Sequence, residues 1–203
     1  MNNNEILKKA RELVELLEKQ EKAGKVALSS MSPGDVFQTT GKHKYKVLEQ
    51  YGDTTKIISL DLMKKNVKFG ESTDYKESNV KKLCDIEILK DFEEEFGAKN
   101  IETHTADIIT VDGQKIGTVD CKIRPITFDE AREYTDIIPN QYLDDWYWTL
   151  SPWSTKERGW GRRRSVPVVS PSGNVYSGSC FSSFGVRPVC ILKSNLFVSK
   201  VEE

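Results

Sequence analysis

Trp146-Tyr147-Trp148-Thr149-Leu150-Ser151-Pro152 and, thirty-odd residues on, Gly185-Val186-Arg187-Pro188 are the stretches that decide the fold. Both carry the apolar alternation of framework strands. Trp146 and Trp148 stand two apart, so on one strand they share a face, which predicts core for both. The chain between them is rich in Gly, Ser and Arg, too polar to be mostly interior. Within it, Val166–Ser170 and Asn174–Tyr176 predict a hairpin about the turn Pro171-Ser172-Gly173, and Val186–Leu192 predicts a final buried strand. Arg187, a strand arginine after a glycine, is expected to be structural rather than ligand-binding.

Working outward, the upstream chain alternates short strands with glycine turns. Val36–Gln38, Tyr45–Gln50 and Lys56–Leu60 are expected strands, punctuated by Gly41 and Gly52-Asp53. Asp107–Val111 and Lys115–Val119 flank the turn Asp112-Gly113 as a second hairpin. Two helices are expected. Asn79–Phe96 sets Val80, Leu83, Cys84, Ile88 and Phe92 on one side. Phe128–Tyr134 starts from Thr127, with Glu130 as its capping-box partner.

At the N-terminus, residues 4–22 predict one further helix, capped by Asn3 or Asn4 and ended by Gly24. Ile6, Ala10, Leu13 and Leu17 fall at coiled-coil spacing, and Leu7, Val14 and Leu16 widen the stripe. Such a helix either docks on its own domain or pairs chains, so residues 4–22 are a candidate homo-oligomer seam. Lys25–Ser32 is expected to be a polar joint.

The 203 residues carry a net charge of −1, which supplies no global field toward nucleic acid or membrane. From Asp144 onward, eight Lys and Arg face five Asp and Glu, whereas the remainder has 22 against 26, so the C-terminal third is mildly basic. No apolar run approaches the length of a membrane span, and no leader-like segment opens the chain, so a soluble cytoplasmic protein is expected. The cysteines, Cys84, Cys121, Cys180 and Cys190, show no C-x-x-C spacing. Free thiols are the expectation, with a Cys180–Cys190 disulfide as the alternative.

Nothing in the sequence assembles a catalytic site. His43 and His104 are the only histidines, each distant in sequence from any cysteine. The acidic residues show no calcium-loop spacing, so neither metal nor cofactor is expected. The stretch best suited to recognition runs from Trp153 to Phe184. Its candidate binding residues are Trp153, Lys156, Arg158, Trp160, Arg162, Arg163, Arg164, Tyr176 and Phe181. Arginine and large rings are the side chains that carry binding energy at interfaces. The competing reading of the same residues is a solvated arginine run beside core aromatics.

The W-x-L-x-S-P run and the closing G-V-R-P resemble the bacterial and prophage family called domain of unknown function 6273. Tyr45–Leu48, Ile57–Leu60, Tyr75–Leu83 and Ile123–Ala131 resemble further segments of it, over about Ser32 to Val198. The ending is also similar to that of C-type-lectin-like domains such as the formylglycine-generating enzyme, in which the variable stretch before the last strand forms the exposed ligand face. The alternation of short strands and glycine turns with few helical stretches predicts an α+β protein with an N-terminal helix (1–24), which lies outside the resemblance, and a joint (25–32). For 33–203 the resemblance implies a C-type-lectin-like domain with an antiparallel sheet and two flanking helices. It implies a non-enzymatic, phage- or prophage-encoded binding protein with a protein partner at Trp153–Phe181. A phage anti-defence inhibitor of a host nuclease or nucleoprotein, a nucleic-acid binder and an enzyme are the alternatives. The paired cysteines of the formylglycine-generating enzyme have no match at Cys180 and Cys190, which are too far apart in sequence.

Overall fold

The computed structural model describes residues 5–9, 11–14, 24–39, 42–158 and 164–202. It shows a mixed α+β protein in which antiparallel sheet dominates. The strands in chain order are β1 (Val26–Ala27), β2 (Val36–Gln38), β3 (Lys44–Tyr51), β4 (Thr54–Ser59), β5 (Lys64–Lys68), β6 (His104–Ile109), β7 (Lys115–Cys121) and β8 (Ile123–Pro125). They continue with β9 (Tyr147–Trp148), β10 (Ser165–Val169), β11 (Val175–Ser179), β12 (Ser183–Val186), β13 (Pro188–Lys193) and β14 (Phe197–Val201). One sheet runs β1-β14-β2-β3-β4-β13-β8 and a second β11-β10-β9-β12-β5, while β6 and β7 pair as a separate hairpin. A single bridge, Gly185 to Tyr147, is parallel.

Two helical segments flank the larger sheet. The first comprises α1 (Asn79–Leu83), a π-helical turn (Cys84–Ile88) and α2 (Leu89–Phe96). Ser78 caps it by accepting from Lys81 N at 2.9 Å, and Gly97 ends it at φ 79°. Its buried residues, Val80, Cys84, Ile88, Phe92 and Phe96, recur every fourth position. A regular α-helix would rotate such a row by about 40° at each step. The π turn unwinds the helix and returns the row to the sheet. The second segment, α3 (Phe128–Glu133), starts in the expected capping box between Thr127 and Glu130.

The two helical segments cover opposite faces of the large sheet, so there are two cores. Tyr45, Val47, Ile57 and Cys190 face α1–α2, whereas Leu48, Ile58 and Val189 face α3. Successive residues of a strand point to opposite faces, so Val47 and Leu48, like Ile57 and Ile58, bury on the two sides. The same division runs through β9: Trp148 belongs to the first core and Tyr147 to the second. Trp146 and Trp148 therefore lie on the same side, as expected, and both pack against the first core. Trp148 is fully buried, while Trp146 is half-buried and stacked beneath Tyr176, with ring centroids 4.5 Å apart.

Other expectations are corrected in detail. Val186–Leu192 is not one final strand. The chain leaves the second sheet after Val186 and enters the first at Pro188, and β14 follows. Arg187 is the corner. Its Nε donates to Ser59 O at 2.7 Å, and its Nη1 donates to Ile138 O at 2.6 Å and to Tyr147 Oη at 3.2 Å. Lys25–Ser32, expected as a joint, contributes β1 and the buried Leu28 and Met31 to the body. All four cysteines are free and buried, so the Cys180–Cys190 disulfide is not formed. At the N-terminus, residues 5–9 and 11–14 are helical and exposed, among them Ile6, Leu7, Leu13 and Val14. The rest of the 4–22 helix and the Gly41 turn lie outside the described residues. No helix is long and apolar enough to cross a membrane among the described residues.

Candidate functional site

The segment after Pro152 crosses the mouth of the β6–β7 hairpin, and the hairpin holds it there. Val111 N donates to Pro152 O at 3.3 Å and to Trp153 O at 3.2 Å. Ser154 Oγ donates to Asp112 Oδ2 at 2.8 Å, and Thr155 Oγ1 to Gln114 Oε1 at 3.2 Å. Hydrogen bonds from Thr110 and then Ser154 hold the Asp112 carboxyl below its ordinary range, with the charge of Arg158 adding to the effect. On the other side, Trp153 N donates to Ser165 O at 2.9 Å and Cys180 N to Arg164 O at 2.8 Å. The segment is thus tied to both the hairpin and the second sheet.

These ties leave a cleft of about 700 Å³ between the 152–156 segment, the β6–β7 hairpin and the turn after β5. Ile108, Ile116 and Pro152 form its apolar floor; Lys76, Lys156 and Arg164 bring cations to its walls. Glu71 and Asp74 also line it, but each is engaged. Lys68 pairs with Glu71 at 2.6 Å, and Asp74 caps the 3-10 turn Tyr75–Glu77 by accepting from Lys76 N at 2.9 Å. Beyond Arg164, Phe181 is exposed, with Arg164 and Lys68 over its ring at 5.4 and 5.3 Å.

Lys156 and Arg164 of the expected site therefore line one cleft, and Phe181 is joined to it through Arg164, which lies over its ring. Arg158 is exposed and interacts with Asp112 beside it, and Trp153 is half-buried in the supporting segment. Tyr176 lies apart, toward the start of β11, stacked on Trp146. Trp160, Arg162 and Arg163 lie outside the described residues. Lys76, Ile108 and Ile116 were not expected. They come from elements distant in sequence, and only the exposed Ile116, in a hairpin otherwise alternating with polar residues, was a signal of its own.

A second polar cluster is buried between β4, β8, α3 and the hairpin. Arg124 donates to both Glu130 carboxylate oxygens at 2.6 Å, and Lys56 Nζ lies 3.0 Å from the same group. Burial alone would raise the Glu130 carboxyl; Arg124 first and then Lys56 hold it well below the carboxylate range. His104 and Cys121 are cross-strand partners, with Sγ 3.7 Å from Nε2, a proximity invisible in the sequence. Their state is the reverse of an activated pair. Burial and Arg124 lower the imidazole to about 4, and burial raises the thiol to about 11, so both are neutral at pH 7. The cluster acts as a clamp joining sheet, helix and hairpin. No group of three or more His, Cys, Asp or Glu is placed to hold a metal among the described residues.

Set against protein-family models, curated proteins and solved structures, the chain matches none.

Proposed function

We propose that the chain is a non-enzymatic recognition protein that binds a protein partner through the cleft and rim formed by Lys156, Arg164 and Phe181. The observation that carries this reading is the arrangement at Phe181: a large exposed ring with two cations over it, one of which, Arg164, also lines the cleft. Rings and guanidinium groups at a concavity are the usual anchors of protein interfaces. The likeness of the W-x-L-x-S-P and G-V-R-P runs to C-type-lectin-like and prophage domains supports the same assignment. In that arrangement the chain between the runs is the ligand face.

Selection of short peptides from a displayed random library against the full chain tests the reading. Binders should be recovered, and Phe181→Ala and Arg164→Ala, both at exposed positions, should leave the fold intact and weaken them by about tenfold or more. Recovery of no binder, or of binders indifferent to both substitutions, overturns it. Single-stranded oligonucleotides that bind instead, with a steep loss on adding salt, favour the nucleic-acid alternative.

The N-terminal helix supports self-association as a second interaction. Ile6, Leu7, Leu13 and Val14 are each about half exposed, so these residues do not dock on their own domain. In sequence the stripe continues through Ala10 and Leu17 without a charge, which makes it complementary to a second copy of itself. Light scattering on the full chain and on one lacking residues 1–24 decides it: a larger mass only for the full chain is expected, and equal protomer masses overturn it.

A further inference from the structure

We infer that the 700 Å³ cleft takes an acidic, extended peptide segment carrying an aliphatic side chain; the inference rests on the recognition reading above and names the chemistry of its ligand. Three observations carry it. First, the charges of the lining are unequal in availability. Among the described residues, Lys76, Lys156 and Arg164 have no ion-pair partner, whereas Glu71 is held by Lys68 and Asp74 by the turn it caps. The cleft therefore offers three cations without a salt-bridge partner, one of them, Arg164, lying over the Phe181 ring, against two carboxylates that are already engaged.

Second, the apolar lining is aliphatic and its open part is Ile116, since Ile108 and Pro152 are buried. Ile116 keeps 45% of its surface exposed although it sits in a concavity, with Ile108 and Pro152 beside it. A branched or straight aliphatic side chain covers such a surface, whereas nucleobases stack on flat rings, and among the described residues no aromatic ring lines the cleft.

Third, the cleft is built before any ligand arrives. Its wall is fixed by the bonds from Val111, Ser154 and Thr155, and the Lys76 ammonium lies over β7, 3.7 Å from the place a Cβ would take at Gly117. Gly117 itself holds φ 149°, which disfavours any side chain there and keeps that approach clear. A preformed site loses little entropy on binding.

The test uses the full chain with isoleucine methyl labelling and three probes: a peptide alternating Glu and Leu, its Lys and Leu counterpart, and oligothymidylate. The acidic peptide should shift the Ile108 and Ile116 methyls, and its affinity should fall by about tenfold in Ile116→Ser. In the double variant Lys156→Glu with Arg164→Glu the preference should swap to the basic peptide. All three positions border solvent, and an unchanged thermal transition checks that each variant is folded. Absence of methyl shifts, tighter binding of oligothymidylate, or a double variant that keeps its preference for the acidic peptide overturns the inference. Library binders that are lost in Phe181→Ala but indifferent to Ile116→Ser and to the double charge reversal leave recognition by the face standing and remove only the ligand assigned to the cleft.

Discussion

Arg124 Nε donates to His104 Nε2 at 3.0 Å, which requires the imidazole to be neutral and to carry its proton on Nδ1. Protonating Nε2 breaks that bond and sets two cations together in a buried place. The ring's affinity for protons is therefore low, about 4 against an ordinary 6.5, with burial the larger cause and Arg124 the next.

Stability should consequently fall as pH drops from 6.5 toward 4, because the unfolded chain takes up a proton that the folded chain refuses. The full loss is about 3 kcal/mol, from a shift of about two and a half pH units. Denaturant unfolding measured at intervals across that window checks it. His104→Gln, which keeps an acceptor for Arg124, should flatten the profile there. Glu130 contributes a separate loss at lower pH, since its carboxyl is held down and stabilises the fold until it is protonated. An unaltered slope in His104→Gln would assign the acid loss elsewhere.

Removing the Glu130 charge should cost far more than removing a surface carboxylate. Glu130→Gln leaves Arg124 and Lys56 buried together with, among the described residues, no counter-ion nearer than Glu49, 3.7 Å from Lys56. A loss of about 3–5 kcal/mol is expected, as for one partner of a buried pair. By contrast Glu87→Gln, which breaks the exposed pair with Lys64, should change stability by less than about 1 kcal/mol. Equal effects would show that the Glu130 cluster is solvated.

Much of this architecture was legible locally. The Thr127–Glu130 capping box, the hairpin at Asp112-Gly113 and the turn at Gly173 are set by residues within a few positions of one another, so propensity and turn chemistry locate them. What was lost depends on distant partners. β5, Lys64–Lys68, has one apolar residue in five, so no apolar alternation marks it as a strand. It is an edge strand, where lysines discourage pairing with other chains. The corner at Arg187 depends on carbonyls of Ser59 and Ile138, and the cleft floor on a hairpin some forty residues before the segment that faces it. Of the candidate site, the cations and Phe181 were visible as composition, but the separation of Tyr176 from them follows from strand order alone.

The G-V-R-P run yields a packing prediction. A Cβ added at Gly185 would lie 2.6 Å from Leu62 Cδ1 and 2.9 Å from Cδ2, and the backbone cannot retreat because Gly185 N donates to Trp146 O at 2.7 Å. Gly185→Ala should therefore destabilise by about 1–3 kcal/mol through overpacking. Leu62→Ala removes the obstructing atoms, so the pair of substitutions should cost less than the sum of the two alone. A double-mutant cycle in denaturant measures that difference. Strict additivity would mean that the clash is relieved by movement elsewhere.

The cysteines allow a direct check on whether the His104–Cys121 contact has any chemical consequence. All four thiols are buried, and burial raises each of them, Cys121 to about 11. A thiol with that affinity for its proton is almost wholly un-ionised at about pH 8, and the neutral imidazole beside it supplies no positive charge to stabilise a thiolate. A chromogenic disulfide reagent added to the native chain should therefore label none of the four cysteines rapidly. Adding denaturant should expose all four together, since they belong to one cooperative unit. Labelling rates in His104→Gln should match those of the parent. Rapid native labelling confined to Cys121 and abolished by His104→Gln would instead identify a working imidazole–thiolate pair, and would return nucleophilic chemistry to consideration at the hairpin.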